Sequence, residues 1–210
     1  TSFHETQAAY LDQVQQFHGP PDKNFSIAAE IAELRDGFSQ LSDNPGDVFL
    51  QQQTVNQAQA TANKIQDFSK LLSDLRNDAE EEISLTVERV NDLLERIADL
   101  NSQIRFNLNT GKTVANLEDQ RDETVKELSE KMEISFFVRG DGVMVVQSAR
   151  GRELASDNVR PLFFSSSPQS PDTFYPASAS GLYIGGDPTN NPTAVDISPG
   201  GTGRKSWRFV

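Results

Sequence analysis

The residues that could do catalytic or metal chemistry are few and scattered. The chain has no cysteine, and its two histidines, His4 and His18, are fourteen positions apart. A metal site would need both imidazoles beside carboxylates, and this spacing gives no local reason for them to converge. Three consecutive glutamates, 80–82, would point in different directions around a helix. No nucleophile elbow, histidine-bearing triad or zinc signature is present. We therefore expect no catalytic, cofactor-binding or metal-binding residue and no enzymatic activity.

Two short motifs resemble binding sites but have simpler interpretations. Gly111, Lys112 and Thr113 match the end of a phosphate-binding loop, but that loop needs a glycine five positions before Gly111, where Phe106 stands. We interpret this segment as a turn between helices. The tripeptide Arg-Gly-Asp at 139–141 matches the integrin-binding sequence. Glycine and aspartate are also what a tight hairpin turn selects, so we favour a turn there as well.

The composition limits the classes of partner. The chain carries 31 acidic and 19 basic residues, for a net charge of -12, so it should repel nucleic acids and anionic membrane surfaces. Its 36% of hydrophobic residues and mean hydropathy of -0.53 are low for a compact globule. No run approaches the roughly 20 apolar residues of a membrane span. The glycosylation sequon at 24–26 has meaning only in a eukaryotic secretory context.

One long segment dominates the organisation of the chain. Between Val48 and Asn109 there is no proline and no glycine. Apolar residues recur along it at intervals of mostly three and four, which predicts one helix about 90 Å long with an apolar stripe. The predicted stripe consists of Val55, Ala58, Ala62, Ile65, Phe68, Leu72, Leu75, Ala79, Ile83, Val87, Val90, Leu94, Ile97, Ile104 and Leu108.

Shorter helices are predicted on either side of it. Helical spacing indicates one helix over about 3–17 and another over about 27–41, and the cluster at 43–47 predicts a turn. A further helix is expected to start near Asn116, with Asn116 as its cap and Asp119 three residues later. In the simplest arrangement it returns antiparallel to the long helix.

The second part of the chain has the character of β structure. Apolar runs at Ile134–Val138 and 143–146 flank a glycine-containing turn and predict a hairpin, and Glu153–Ala155 predicts a short third strand. Brief apolar islands follow at Leu162–Phe164, Leu182–Ile184 and 207–210. The predicted fold class is therefore α+β: an elongated antiparallel helical bundle with one very long helix, then a small, mainly antiparallel β domain.

We place the domain boundary between residues 131 and 132. Residues 1–131 would form an elongated helical rod domain. Residues 132–210 would form a β-rich, loop-rich domain, which we expect to be incomplete and to end in a non-native tail near 201–210.

A specific pattern lies at 93–128, and a weaker one, F-x-x-L-x-x-x-P, lies at 38–45. The residues of the longer pattern are Ile97, Leu100, Asn101, Gln103 and Ile104, then Ala115, Asn116, Leu117, Asp119, Gln120, Arg121, Asp122, Val125 and Leu128. Together the two patterns resemble the family of the first hook-associated protein of bacterial flagella (FlgK type), over about residues 25–150. Members of that family often have one more residue at the position between Asn116 and Leu117, which is a slight departure of this chain.

The resemblance implies a structural role. It implies an axial component of the flagellum that acts as a mechanical adaptor at the junction between hook and filament. The implied partners are the hook protein, a second junction protein and lateral copies of the chain. The implied location is extracellular, after export by the flagellar type III route. Because the family's terminal coiled-coil segments are missing from this chain, we expect a fragment that is monomeric in solution.

Two other classes of function stay open. An extracellular adhesin or binding module would use the β part, with Arg139-Gly140-Asp141 at its tip. A generic coiled-coil binding scaffold would keep the helix pattern but give no role to 117–128. A filament-associated hydrolase would need an inserted catalytic domain, for which the chain has neither room nor motif.

Overall fold

The structure is a computed structural model and describes residues 3–20, 26–166 and 181–197. The chain divides into two compact units between Asp78 and Ala79. We call the described residues up to Asp78 the N-terminal unit and those from Ala79 onwards the C-terminal unit. The predicted tail at 201–210, the island at 207–210, most of the sequon at 24–26 and the side chain of His4 lie outside the described residues.

The helices begin and end close to where the sequence predicts them. Ser26 caps the second helix, because its hydroxyl accepts a hydrogen bond from the Ala29 N–H at 3.1 Å. Asp47 caps the third in the same way, with its carboxylate 2.8 Å from the Phe49 nitrogen. The four helices are α1 Phe3–His18, α2 Ile27–Asp43, α3 Val48–Asn109 and α4 Ala115–Ser129.

The predicted cap of α4 is wrong. The helix begins at Ala115, so Asn116 lies in its first turn, and the capping position is held by Val114, which makes no side-chain capping bond. The carbonyl of Val114 accepts hydrogen bonds from Leu117 and Glu118 at 2.8 and 3.0 Å. The chain therefore closes its first helical turn upstream of Asn116, and no amide donor remains for that side chain to cap.

Four members of the predicted apolar stripe of α3 are exposed, so the stripe is not buried along its whole length. In the N-terminal unit α2 packs beside a different face of α3, where Thr54 and Thr61 are buried. Both hydroxyls donate a hydrogen bond within α3, to the carbonyl oxygens of Leu50 and Gln57, at 2.9 Å. The exposed members are Val55, Ala62, Ile65 and Leu108.

The C-terminal unit holds the hydrophobic core. The second half of α3 and the antiparallel helix α4 pack against two three-stranded antiparallel sheets, with orders β1-β2-β3 and β4-β5-β6. The predicted hairpin, third strand and first two islands are confirmed, and β6 was not predicted. The strands are β1 Ile134–Val138, β2 Met144–Ser148, β3 Glu153–Ala155, β4 Leu162–Phe164, β5 Leu182–Ile184 and β6 Val195–Asp196.

The predicted fold class, α+β with antiparallel helices, one very long helix and small antiparallel sheets, is confirmed. The predicted domain boundary at residue 131 stays a prediction. Within the described ranges, no helix is both long enough and apolar enough to cross a membrane.

Candidate functional site at the helix–sheet joint

A buried asparagine fastens α3 to the first sheet. Asn101 donates from Nδ2 to the carbonyl oxygens of Met144 and Ser156, at 2.8 and 3.0 Å. Its Oδ1 accepts from the Met144 N–H at 2.9 Å and from the Arg121 Nη1 at 3.0 Å. The side-chain amide thus uses two donor and two acceptor positions, which is the full capacity of an asparagine. One side chain of α3 therefore pairs with both backbone groups at the start of β2.

Arg121 of α4 completes this contact. Its Nη1 also donates to the Gly142 carbonyl at 2.8 Å, in the turn between β1 and β2. Burial lowers the pKa of the guanidinium, while the charges of Asp122 and Glu118 act in the opposite direction. Among the described residues no carboxylate pairs with it, and its buried Nε lacks a hydrogen-bond partner. Burying a charge is costly unless it is hydrogen-bonded, so the stability of the fold around Arg121 depends on the positions of these neutral acceptors.

A second asparagine does the same for the other sheet. Asn91 of α3 donates from Nδ2 to the Leu162 carbonyl at 2.9 Å, and its Oδ1 accepts from the Leu162 N–H at 2.8 Å. Both asparagines act towards a strand as a neighbouring strand would. We call Asn91, Asn101 and Arg121 together the helix–sheet joint. The sequence motif contains Asn101 and Arg121 but not Asn91. The only sequence indication of a role for Asn91 is that asparagine, which is disfavoured inside helices, stands beside the apolar stripe.

The turn of the hairpin packs tightly against the end of α3. Gly142 has φ +84, and a Cβ atom added there would lie 2.5 Å from the Cδ1 of Leu108 and 3.3 Å from Ile104. A Cβ atom there would force the end of the Leu108 side chain to move, and this φ is one that glycine adopts readily. Glycine at this position therefore lets the hairpin approach α3 closely enough for Arg121 to reach the turn.

Ion pairs close the outer side of the same turn. Arg139 Nη2 lies 2.8 Å from a carboxylate oxygen of Asp141 and 2.8 Å from one of Asp157, and Arg105 of α3 also pairs with Asp157. Hydrogen bonding to Asp141 raises the pKa of Arg139, and hydrogen bonding to Arg139 lowers the pKa of Asp141. The charged groups of the Arg-Gly-Asp tripeptide therefore bind each other, and Arg139 also binds Asp157. The predicted hairpin turn is confirmed.

The other sequence candidates are not brought together. His18 lies in the N-terminal unit with its ring 5.0 Å from that of Phe68. Gly111 has φ +69 just after α3, and the Lys112 N–H donates to the Asn107 carbonyl at 2.9 Å, so the predicted interhelical turn is confirmed. In the part of the chain that the structure describes, no cluster of three or more potential ligands could hold a metal ion.

Comparisons with known proteins agree on one family. The model of the flagellar hook-associated protein FlgK helical domain matches residues 11–198. The chain is 25% identical to flagellar hook-associated protein 1 of Escherichia coli K12 over 131 residues, which is 61% of this chain and 24% of that protein. It is 25% identical to the protein of the same name from Bacillus subtilis 168 over 149 residues, 71% of this chain and 29% of that protein.

A solved structure agrees at the level of the fold. The flagellar hook junction protein FlgK from Burkholderia pseudomallei superposes with a TM-score of 0.69 at 22% identity, over 97% of this chain and 33% of that chain. The chain spans about a quarter of the length of the curated relatives, 24% and 29% for the two named above.

Proposed function

The chain belongs to the FlgK family of flagellar hook-associated proteins, and from this premise we propose that it serves as a mechanical adaptor at the junction between hook and filament. The family resemblance inferred from the sequence is confirmed. The predicted location, in the extracellular bacterial flagellum, is confirmed with it. The adaptor role, the partners and the absence of catalysis belong to the proposal.

The helix–sheet joint is the observation that supports this proposal best. A component that carries load must keep its sheets fixed relative to its helices. Hydrophobic packing is non-directional and lets elements slide, whereas a buried, fully bonded amide fixes both position and direction. Asn101 gives the first sheet such a contact with α3, and the half-buried Asn91 gives the second sheet a contact of one donated and one accepted hydrogen bond. This arrangement suits a structural part better than a catalytic one.

The proposed partners follow from the family. They are the hook protein, a second junction protein and lateral copies of the chain. An adhesin that uses the Arg-Gly-Asp tripeptide is disfavoured, because Arg139 and Asp141 are paired with each other at 2.8 Å. A ligand that needed both charges would first have to break this pair.

A chimera tests the proposal. An Escherichia coli strain without its hook-associated protein 1 would receive that protein with the matched segment replaced by the corresponding residues of this chain. We expect filaments to attach to hooks, as counted by electron microscopy. The Asn101→Leu chimera should lose filaments when cells swim in viscous medium, and Gln103→Ala, an exposed change two residues away, should not. A chimera that is exported but leaves hooks bare would contradict the adaptor role.

A further inference from the structure

Strand β1 has one edge that pairs with no other strand of the described residues. Among the strands of the described residues β1 pairs with β2 alone, because the sheet order is β1-β2-β3. The Arg139 N–H donates to the Val143 carbonyl and the Ala149 N–H to the Glu133 carbonyl. In an antiparallel pair the hydrogen-bonded positions alternate, so the backbone groups of the even-numbered residues point away from β2. Three positions, Ile134, Phe136 and Val138, thus present free N–H and C=O groups along this edge.

The side chains along this edge are apolar and unprotected. Phe136, Phe137 and Val138 are 53%, 51% and 51% exposed, and the strand Ile134–Val138 contains no charge and no proline. Soluble proteins usually guard a free edge with charges, prolines or a bulge, because an unguarded edge pairs with another strand. Nothing of that kind protects β1 within its own five residues.

We propose that β1 is a docking edge for a second copy of this chain, which adds its own β1 in antiparallel orientation about a two-fold axis. With Phe136 opposite the Phe136 of the second copy, Ile134 faces the second copy's Val138. These are the positions whose backbone groups are free, so each facing pair can exchange two hydrogen bonds. A shift by one residue would bring together groups already used by β2.

The charges at both ends of the strand favour a copy over an unrelated strand. In this register Glu133 lies opposite the second copy's Arg139, whose Nη1 makes no hydrogen bond among the described residues and stays available beside the bonds to Asp141 and Asp157. The two-fold axis repeats this pair, so each end of the joined strands brings opposite charges together, which stabilise cross-strand neighbours. A chain with a net charge of -12 would otherwise repel its copies.

This pairing goes beyond the adaptor role. A two-fold interface uses the same patch on both copies and closes on itself, whereas a ring needs two different patches. The β1 pair is therefore a form of the chain outside a ring, one that covers an aggregation-prone edge. It also differs from the monomer expected from the sequence, and one experiment decides between the two.

Sedimentation equilibrium on the chain, from micromolar to near-millimolar concentration, tests the pairing. We expect a reversible dimer. Glu133→Lys and Arg139→Glu should each weaken it at least about tenfold, because each variant sets like charges opposite each other twice. An equimolar mixture of the two variants should restore the dimer, because the introduced lysine then faces the introduced glutamate. Glu123→Lys makes the same charge change on exposed α4 and should leave dimerisation unchanged.

Two results would overturn the proposal. A native chain that stays monomeric over the whole range would do so. A native dimer that both variants form equally well, or that their mixture fails to restore, would place the contact on another surface. If Arg139→Glu disturbs the hairpin, as judged by circular dichroism, Phe136→Lys replaces it, and this variant should also give a monomer.

Discussion

The two halves of α3 both carry apolar residues at helical spacing, but only one half buries them fully. In the C-terminal unit Val90, Ile97 and Ile104, each seven positions from the next, are fully buried. The same steps counted back into the N-terminal unit cross two polar positions, 76 and 69, before they reach Val55 and Val48, which are 51% and 73% exposed. A heptad pattern marks the face that a helix offers to partners. Whether an apolar face is buried also depends on what lies against it, and the pattern of the helix alone does not contain that information.

The partners of the two halves explain the difference. Against the second half, α4 and the sheets contribute buried apolar side chains such as Val125, Leu128 and Met144. Against the first half, α2 has no fully buried residue, and its contact includes hydrogen bonds from Gln57 of α3 to Glu30 and Glu33, at 3.0 and 3.3 Å. One half of the helix is thus held by a core, and the other largely by half-exposed contacts.

The largest expected effect comes from truncating matched isoleucines in the two halves. Ile97→Ala should lower the free energy of unfolding of the C-terminal unit by about 3–4 kcal/mol, because it removes buried atoms and leaves a cavity. Ile65 is 47% exposed, so Ile65→Ala should change stability by no more than about 0.5 kcal/mol. Denaturant unfolding followed by circular dichroism measures both. Equal losses at the two positions would show that the exposed face is covered in solution.

Two variants that each remove a polar side chain extend the comparison between the two halves of α3. Asn101→Ala leaves the Met144 backbone groups without their partner and removes one of the two acceptors of the Arg121 guanidinium, so we expect a loss of about 2–3 kcal/mol. Gln57→Ala removes a hydrogen bond at the half-exposed contact with Glu30 and should cost less than about 0.5 kcal/mol. Hydrogen exchange of the Met144 amide gives a second readout, since it should speed up in Asn101→Ala alone. An unchanged amide would mean that the joint does not hold β2.

The sequence could predict the bounds of the helices and most strands, but not which face of a helix another element covers. The bounds of α3 are readable because proline and glycine are absent between Val48 and Asn109, which is a local property of the chain. Burial of Thr54 in place of Val55 is not local, because it depends on where α2 comes to lie. A two-residue strand such as β6 is too short to show any alternation.

The sequence predicts no residue of the helix–sheet joint as a site. Asn101 and Arg121 belong to the matched family pattern, but the pattern says nothing of what their side chains contact. Asn91 lies outside the matched pattern, and its partner Leu162 is 71 residues away in the chain. Pairing over that distance is a property of the folded topology, and spacing along a helix cannot report it.

Replacing glycines that have positive φ should have a smaller effect on the free energy of unfolding. Gly142→Ala adds a methyl group 2.5 Å from the Cδ1 of Leu108 and 3.3 Å from the buried Ile104, so a modest repacking cost joins the cost of the unusual φ, for about 2 kcal/mol in all. Gly111 also has positive φ but has no atom within 4 Å of an added Cβ, and Gly111→Ala should cost only about 1 kcal/mol. Thermal unfolding compares the two. A similar loss for both would mean that the hairpin turn can move away from α3.

The smallest effect concerns acid stability at the hairpin. The hydrogen bond from Arg139 lowers the pKa of Asp141 in the folded chain relative to its ordinary value. The carboxylate therefore stabilises the folded state above the unfolded pKa of about 3.9, and this contribution is lost as the pH falls through the lower, folded pKa. We expect the melting temperatures of the native chain and Asp141→Asn to differ most near neutral pH and to converge in acid. In an Arg139→Gln background the difference should depend less on pH, because backbone hydrogen bonds such as that from the Val143 N–H are then what still lowers the pKa of Asp141. A constant difference in the native background would show that the Asp141 carboxylate stabilises the turn through its geometry and not through its charge.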